Sequence, residues 1–424
     1  MEITFGRYTD SFKPKKQADY WAESVKLFDQ KKYLDSYRVF LKYISNSYES
    51  NIRIIRDNEI LVFEFMQGSK KINVIIDNEK VFAVSNIAEI VKLSVPLMRR
   101  ILEMNYTLYY SRFILNENKI SIIFDSYTED CFPEKLYYAL KELALKADKQ
   151  DDILTNEFAN AIKIIDDSII IQLPENIKKL KYNYFSNWIN ETTKKINELN
   201  ANNFEGAISF LNLALLYRIE YLLRPEGVIV NDMDEINFKY FEENDKKLIE
   251  KNIDMQNRFK KLLEKPQNFL ENSFNEVIST FSVLNPAFHT SVVDTINSNI
   301  NNVKWYVENN HPDIAYLIYE YISGYCFYHY GLPKPTSMLL HIVFRILHPE
   351  FFKELGFADI YFDKEQDKLN EELIKSKIFE IIKNGKEQFP DLSFKIENLK
   401  FNSVLDFLSS YFNELKAMIY ESQN

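Results

Sequence analysis

All five histidines of this 424-residue chain fall between His289 and His348. Such a concentration is the first place to look for metal binding or acid–base chemistry. His341 and His348 are seven residues apart, so one helix would place them two turns apart on nearly the same face, about 10 Å in rise. That is too far for one metal ion without a third element between them. Metal-binding helices favour closer pairs such as i, i+4, so core or surface histidines are the plainer reading. With Cys326 close in sequence, His329, His341 and Glu320 are the residues from which a pocket would be assembled if the chain were an enzyme or a ligand sensor. The sequence has no GxxxxGK loop, GxGxxG, GxSxG elbow, HExxH or closely spaced cysteine pair, so the common phosphate, acyl-transfer and zinc machineries have no footing. No catalytic residue, metal ligand or cofactor is assigned.

Composition narrows the class. A hydrophobic content of 46 % with 15 % aromatics supplies well-buried cores, and 424 residues suffice for two or three domains. Only 8 glycines occur, which makes phosphate-cradling loops scarce. The net charge of −10 argues against a nonspecific grip on nucleic acid, which depends on neutralising many phosphates. Residues 1–152 carry 23 acidic and 23 basic side chains, leaving 39 acidic and 29 basic in 153–424. A neutral front and an acidic back imply units with different surfaces. Two cysteines are too few for a disulfide framework, the first residues lack a signal peptide's basic start and apolar core, and no uncharged stretch approaches a bilayer span. A cytoplasmic protein without a membrane span is expected.

The elements follow from periodicity. Trp21, Val25, Phe28, Tyr33, Tyr37, Phe40, Leu41 and Ile44 recur at mostly helical spacing, with one five-residue step at Lys31-Lys32 where the region bends or divides. Strands are predicted over 51–56, 60–66, 72–76 and 80–84, with Asp57-Asn58 and Asp77-Asn78 as turns. Leu61, Phe63 and Phe65 share one sheet face, and the opposite face is mostly apolar as well, so helices are expected on one face and a further cover on the other. A second helix is predicted over 86–104, kinked at Pro96. Strands over 106–115 and 119–124 follow, then a third helix over 133–149.

This order of helix, antiparallel strands, helix, two strands and helix resembles that of type III secretion chaperones and the related YbjN family of bacterial proteins. Pro96-Leu97-Met98-Arg99-Arg100-Ile101-Leu102-Glu103-Met104-Asn105-Tyr106-Thr107-Leu108 is similar to their passage from the second helix into the next strand. The resemblance covers about a third of the chain and lies in element order and a loose local pattern. It implies a small α+β domain, often a homodimer, that holds part of another protein through hydrophobic surface and strand edges, and it implies no chemistry. The chain departs from the secretion chaperones in an extra strand before the second helix and in residues 151–424.

The expected fold class is α+β: a chaperone-like domain over 1–152, a crossover over 153–175 containing the apolar run Ile169-Ile170-Ile171, and a mainly helical domain over 176–424. Helices are predicted over 174–199, 203–223, 238–264, 313–330, 336–347, 370–383 and 403–420. The aromatic run from Tyr316 to Tyr330 reads as a central helix buried on most sides. The expected function is non-enzymatic, chaperone- or adaptor-like binding of a protein partner or a second copy through apolar sheet surface. Leu61, Phe63, Phe65, Tyr109 and Phe113 are the candidate contact residues.

Overall fold

Among the described residues each unit has its own main hydrophobic core, and a smaller cluster of Ile196, Ile208 and Leu211 lies in the helical unit. The computed structural model describes residues 3–46, 50–165, 170–201 and 203–420. A sheet unit comprises Lys13–Gln172 and Asn275–Val283, and a helical unit comprises Met1–Phe12, Leu173–Phe274 and Leu284–Asn424. Each unit thus holds a short segment from a distant part of the chain, which a front-and-back division at 152 and 176 does not describe. Ile169 lies outside the described residues.

In the sheet unit, the helical region opens as α1 (Lys15–Asp29) and α2 (Tyr33–Ile44), divided where Lys31 takes a left-handed φ of 61°. The strands are β1 (Ile52–Asp57), β2 (Leu61–Gln67), β3 (Lys70–Ile76), β4 (Lys80–Ile90), β5 (Arg112–Asn116), β6 (Lys119–Tyr127) and β7 (Ile162–Ile164). They pair antiparallel in the order β1-β2-β3-β4-β6-β5, with β7 added to the end of β4. The β2–β3 turn depends on Gly68. Its φ is +54°, and a Cβ there would lie 2.1 Å from the Asp148 carboxylate, which instead accepts from the Ser69 N–H and hydroxyl.

The second helix is shorter than predicted. Residues 86–90 belong to β4, because Asn86, Ala88 and Glu89 pair with β6 and Ala88, Glu89 and Ile90 pair with β7, while Ile87 at the intervening register shift is buried. Helix α3 (Val95–Asn105) begins only after Ser94, whose side chain accepts from the Leu97 N–H. Pro96 therefore sits in the first turn, where its missing N–H costs nothing and no kink results. The predicted strand over 106–115 forms only from Arg112.

Helix α4 (Pro133–Phe158) covers one face of the sheet. Its Leu136, Ala139, Leu140, Leu143, Ala144 and Ala147 recur at three- and four-residue steps and are all fully buried, in one core with Leu61, Phe63, Phe65, Val74 and Ile122. Each large side chain removed from water there contributes about 1.5–3 kcal/mol. The segment 275–283 completes this core. Phe281 packs its ring edge against Phe65 and Tyr137, while the Gln67 carboxamide accepts the backbone N–H groups of Thr280 and Phe281. Strand β9 (Glu276–Val277) pairs with β8 (Ile170–Ile171).

The helical unit contains α5 (Glu175–Glu198), α6 (Glu205–Arg218), α7 (Val228–Phe241), α8 (Leu248–Leu263), α9 (Gln267–Glu271), α10 (His289–Glu308), α11 (Pro312–His329), α12 (Lys334–Leu347), α13 (Pro349–Glu354), α14 (Glu371–Gly385) and α15 (Val404–Ala417). The sequence reading missed α10, and the helix predicted over 238–264 is two, broken between Phe241 and Leu248. Helix α11 is the central one, with Ile314, Ile318, Tyr319, Ile322 and Cys326 buried. Segment Glu205–Leu223 is long and apolar enough to cross a membrane, but 89 % of its most apolar stretch is buried inside the protein.

Candidate partner-binding surface

Four of the five predicted contact residues are core. Leu61, Phe63 and Phe65 are fully buried and Phe113 nearly so, because the face they share is the one α4 covers. Only Tyr109 reaches solvent, at 92 % exposure. The opposite sheet face is neither bare nor fully covered. It carries an in-register apolar row, Val62, Ile75 and Phe82. The row is flanked by ion pairs of Glu64 with Arg53 and Lys71, and of Arg112 with Asp125. Ile75 is 46 % exposed. This face tolerates water and does not require a second cover.

The exposed apolar surface lies elsewhere, on α3 and its flanks. Leu97, Ile101 and Met104 turn inward. Val95, Leu102 and Tyr106 follow at seven- and four-residue steps, which puts them on a common face. That face is in water: Val95 is 74 %, Leu102 68 % and Tyr106 94 % exposed. Val91 and Leu93, just before the helix, are exposed as well. Single exposed hydrophobics are ordinary, whereas several on one helix and its flanks mark an interaction site.

The tyrosines are presented on a fixed loop. The Glu142 carboxylate accepts the backbone N–H groups of Tyr109, Tyr110 and Ser111 at 2.8, 2.9 and 2.8 Å, and the Ser111 hydroxyl at 2.7 Å. Asn105, the last residue of α3, accepts the Phe113 N–H and donates to the Phe113 carbonyl. Its amide thus imitates a neighbouring strand and closes that part of the β5 edge. Burial alone would raise the Glu142 pKa, but the Ser111 hydroxyl and the three N–H donors outweigh it and hold the group below its ordinary value. The loop is ordered before anything binds, which reduces the entropy lost on association. Glu142→Ala should accelerate hydrogen exchange at the Tyr109–Ser111 amides by at least ~10-fold, since charge-assisted bonds contribute about 1.5–3 kcal/mol each. Unchanged exchange would show that the loop is held by other means.

The alternative pocket residues do not converge. Helix α6 continues into a π-helical turn, Ile219–Leu223, which ends at Arg224 with a left-handed φ of 47°. Around that turn each candidate takes its own partner. Glu320 receives Arg218 and His348. The His341 Nδ1 lies 2.9 Å from the Tyr221 hydroxyl, and the His329 Nε2 lies 3.4 Å from the Tyr217 hydroxyl. Burial pushes His341 down to about 3 and His329 down to about 4. Among the described residues, no three His, Cys, Asp or Glu side chains are grouped as a metal site.

Sequence reasoning missed both the α3 face and the π turn. The signals were present: Val91, Leu93, Val95 and Leu102 exceed what the buried stripe of one helix can use. Likewise, Asn212, Arg218 and Glu220 interrupt an otherwise apolar run and are buried. No protein-family model matches the chain, and no curated protein matches it.

Proposed function

We propose that this chain is a cytoplasmic, non-enzymatic protein-binding protein, chaperone- or adaptor-like, which holds a protein partner or a second copy through its sheet unit. The observation that carries this reading is the exposed apolar face of α3 (Val95, Leu102 and Tyr106), continued by Tyr109 on a loop fixed by Glu142. Its physics is helix-face recognition, in which residues spaced at i, i+7 and i+11 enter a partner's apolar groove. The resemblance of 17–150 to secretion chaperones and YbjN-like proteins supports the same class. Cys131 and Cys326 are buried free thiols, in keeping with a reducing compartment.

The test compares the wild-type chain with Val95→Glu/Leu102→Glu. Both positions are exposed, so circular dichroism and the melting temperature should stay unchanged. Self-association, measured by light scattering after size exclusion, or recovery of a specific partner from the native host should weaken by roughly 100-fold, the equivalent of about 2.7 kcal/mol. A variant that associates as well as wild type would remove α3 as the contact and this reading with it.

A further inference from the structure

Residues 3–12 form neither helix nor strand, yet they follow a defined course across the helical unit. Three consecutive side-chain positions are each selected by a different chemistry. The Phe5 ring enters an aromatic pocket, with centroids 5.3 Å from His341 and Phe352, 5.9 Å from Phe357 and 6.2 Å from Tyr221. Gly6 donates its N–H to the Tyr221 carbonyl at 2.8 Å. Its φ is +69°, and a Cβ would come within 2.8 Å of the Tyr221 ring, so no side chain fits there. Arg7 spreads its guanidinium between two carboxylates, with Nε 2.6 Å from Glu220 and Nη2 2.6 Å from Asp234, and its centre stands 4.2 Å over the Tyr328 ring.

The receiving groups are arranged around this arginine. Tyr328 donates its hydroxyl to the same Asp234 oxygen. Glu220 is buried and presented by the π turn, and its second oxygen, Oε2, has no hydrogen-bond partner among the described residues. Burial raises the Glu220 pKa, Asp234 adds to that rise, and Arg7 opposes it. Arg224 also lowers the Glu220 value, but Arg7 is the guanidinium that bridges the two carboxylates, and removing it leaves them side by side, which is unfavourable. An aromatic pocket, a position open only to glycine and an acidic pair facing an aromatic ring are together the features of a sequence-reading peptide site.

We propose that the helical unit carries a peptide-recognition groove for an extended Phe-Gly-Arg sequence, filled here by the chain's own Phe5, Gly6 and Arg7. Its partner in trans is an extended segment of another polypeptide bearing the same three residues. The groove lies in the helical unit and stands independently of the α3 contact proposed above.

The test uses the full-length chain carrying Phe5→Ala/Arg7→Ala, which empties the groove, and a fluorescein-labelled peptide with the sequence of residues 3–12. The variant should bind this peptide saturably and at least roughly 10-fold more tightly than wild type, whose own segment competes at high effective concentration. Peptides carrying Gly6→Ala or Arg7→Ala should not bind, and Arg7→Lys should bind weakly, because one ammonium cannot span both carboxylates as the guanidinium fork does. A variant that melts cooperatively but ignores the peptide would overturn the proposal, as would equal binding by wild type. If the variant loses its cooperative transition, restoration by the peptide supports a ligand-like segment, and failure to restore it shows that residues 3–12 are ordinary core.

Discussion

Glu320→Ala is expected to destabilise the helical unit by about 3–5 kcal/mol. The carboxylate is buried and receives the Arg218 Nε and Nη2 on its two oxygens at 2.5 and 2.8 Å, a forked geometry. Being ionised, it can only accept, so the His348 Nε2 at 2.9 Å donates to it. Arg218 also stands 5.3 Å over the Trp188 ring. Truncation removes the anion and leaves a guanidinium in a low-dielectric core with no counter-charge, and that uncompensated cation is the source of the penalty. Replacing both partners by apolar residues, Arg218→Met/Glu320→Leu, should recover most of the loss, since a buried pair roughly balances its own desolvation. Urea unfolding followed by tryptophan fluorescence measures both variants. A Glu320→Ala penalty below about 1 kcal/mol would show that water reaches the pair and screens it.

Stability should also fall steadily as the solution is acidified from pH 7 to pH 4, and the buried histidines are the cause. Burial holds the folded-state values of His341 at about 3 and His329 at about 4, against about 6.5 in an unfolded chain. Burial also lowers His348 and His289. For a depressed value the unfolded chain binds protons that the fold refuses, so the contribution is complete above pH 6.5 and is lost as pH falls toward the folded values. Each histidine that stays neutral in the fold removes roughly 1.4 kcal/mol per pH unit over that window. Glu320, held at about 2 despite a burial that would raise it, because Arg218 and His348 lower it further, adds a later loss as pH falls from about 4.3 toward 2. Glu220 acts in the opposite sense, because its folded value is raised and protonation relieves its burial. His341→Gln, which cannot titrate, should flatten the urea midpoint measured between pH 6.5 and 4. A profile already flat in wild type would contradict a neutral, buried His341.

Local pattern made much of the architecture legible. Alternation in Leu61-Phe65 and Ile72-Ile76, with Asp-Asn turns between neighbouring strands, identifies antiparallel hairpins, and the five-residue step at Lys31-Lys32 coincides with the division of α1 from α2. Helix α11 was readable because its aromatic residues occupy nearly every face. Errors arose where two periods compete. Ile87 and Ile90 suit a helical stripe as well as a strand, and what decided in favour of β4 was its pairing with β6 and β7, invisible to a window of neighbouring residues. The candidate contacts were misplaced for a related reason. Periodicity identifies which residues share a face, but not whether a helix such as α4, seventy residues away, covers it.

What the residues alone determined is therefore the α+β class, the hairpins, most helices and the shortage of recognisable catalytic machinery. Those depend on contacts within a few residues, where backbone geometry and hydrophobic spacing dominate. Only the tertiary structure decided that Phe281 completes the sheet unit's core, that Arg7 meets Glu220 across 213 positions, that Glu320, His329 and His341 take separate partners, and that α3 keeps an apolar face in water. These are long-range juxtapositions. Their energies come from desolvation and charge pairing between segments whose proximity exists only once the chain has folded.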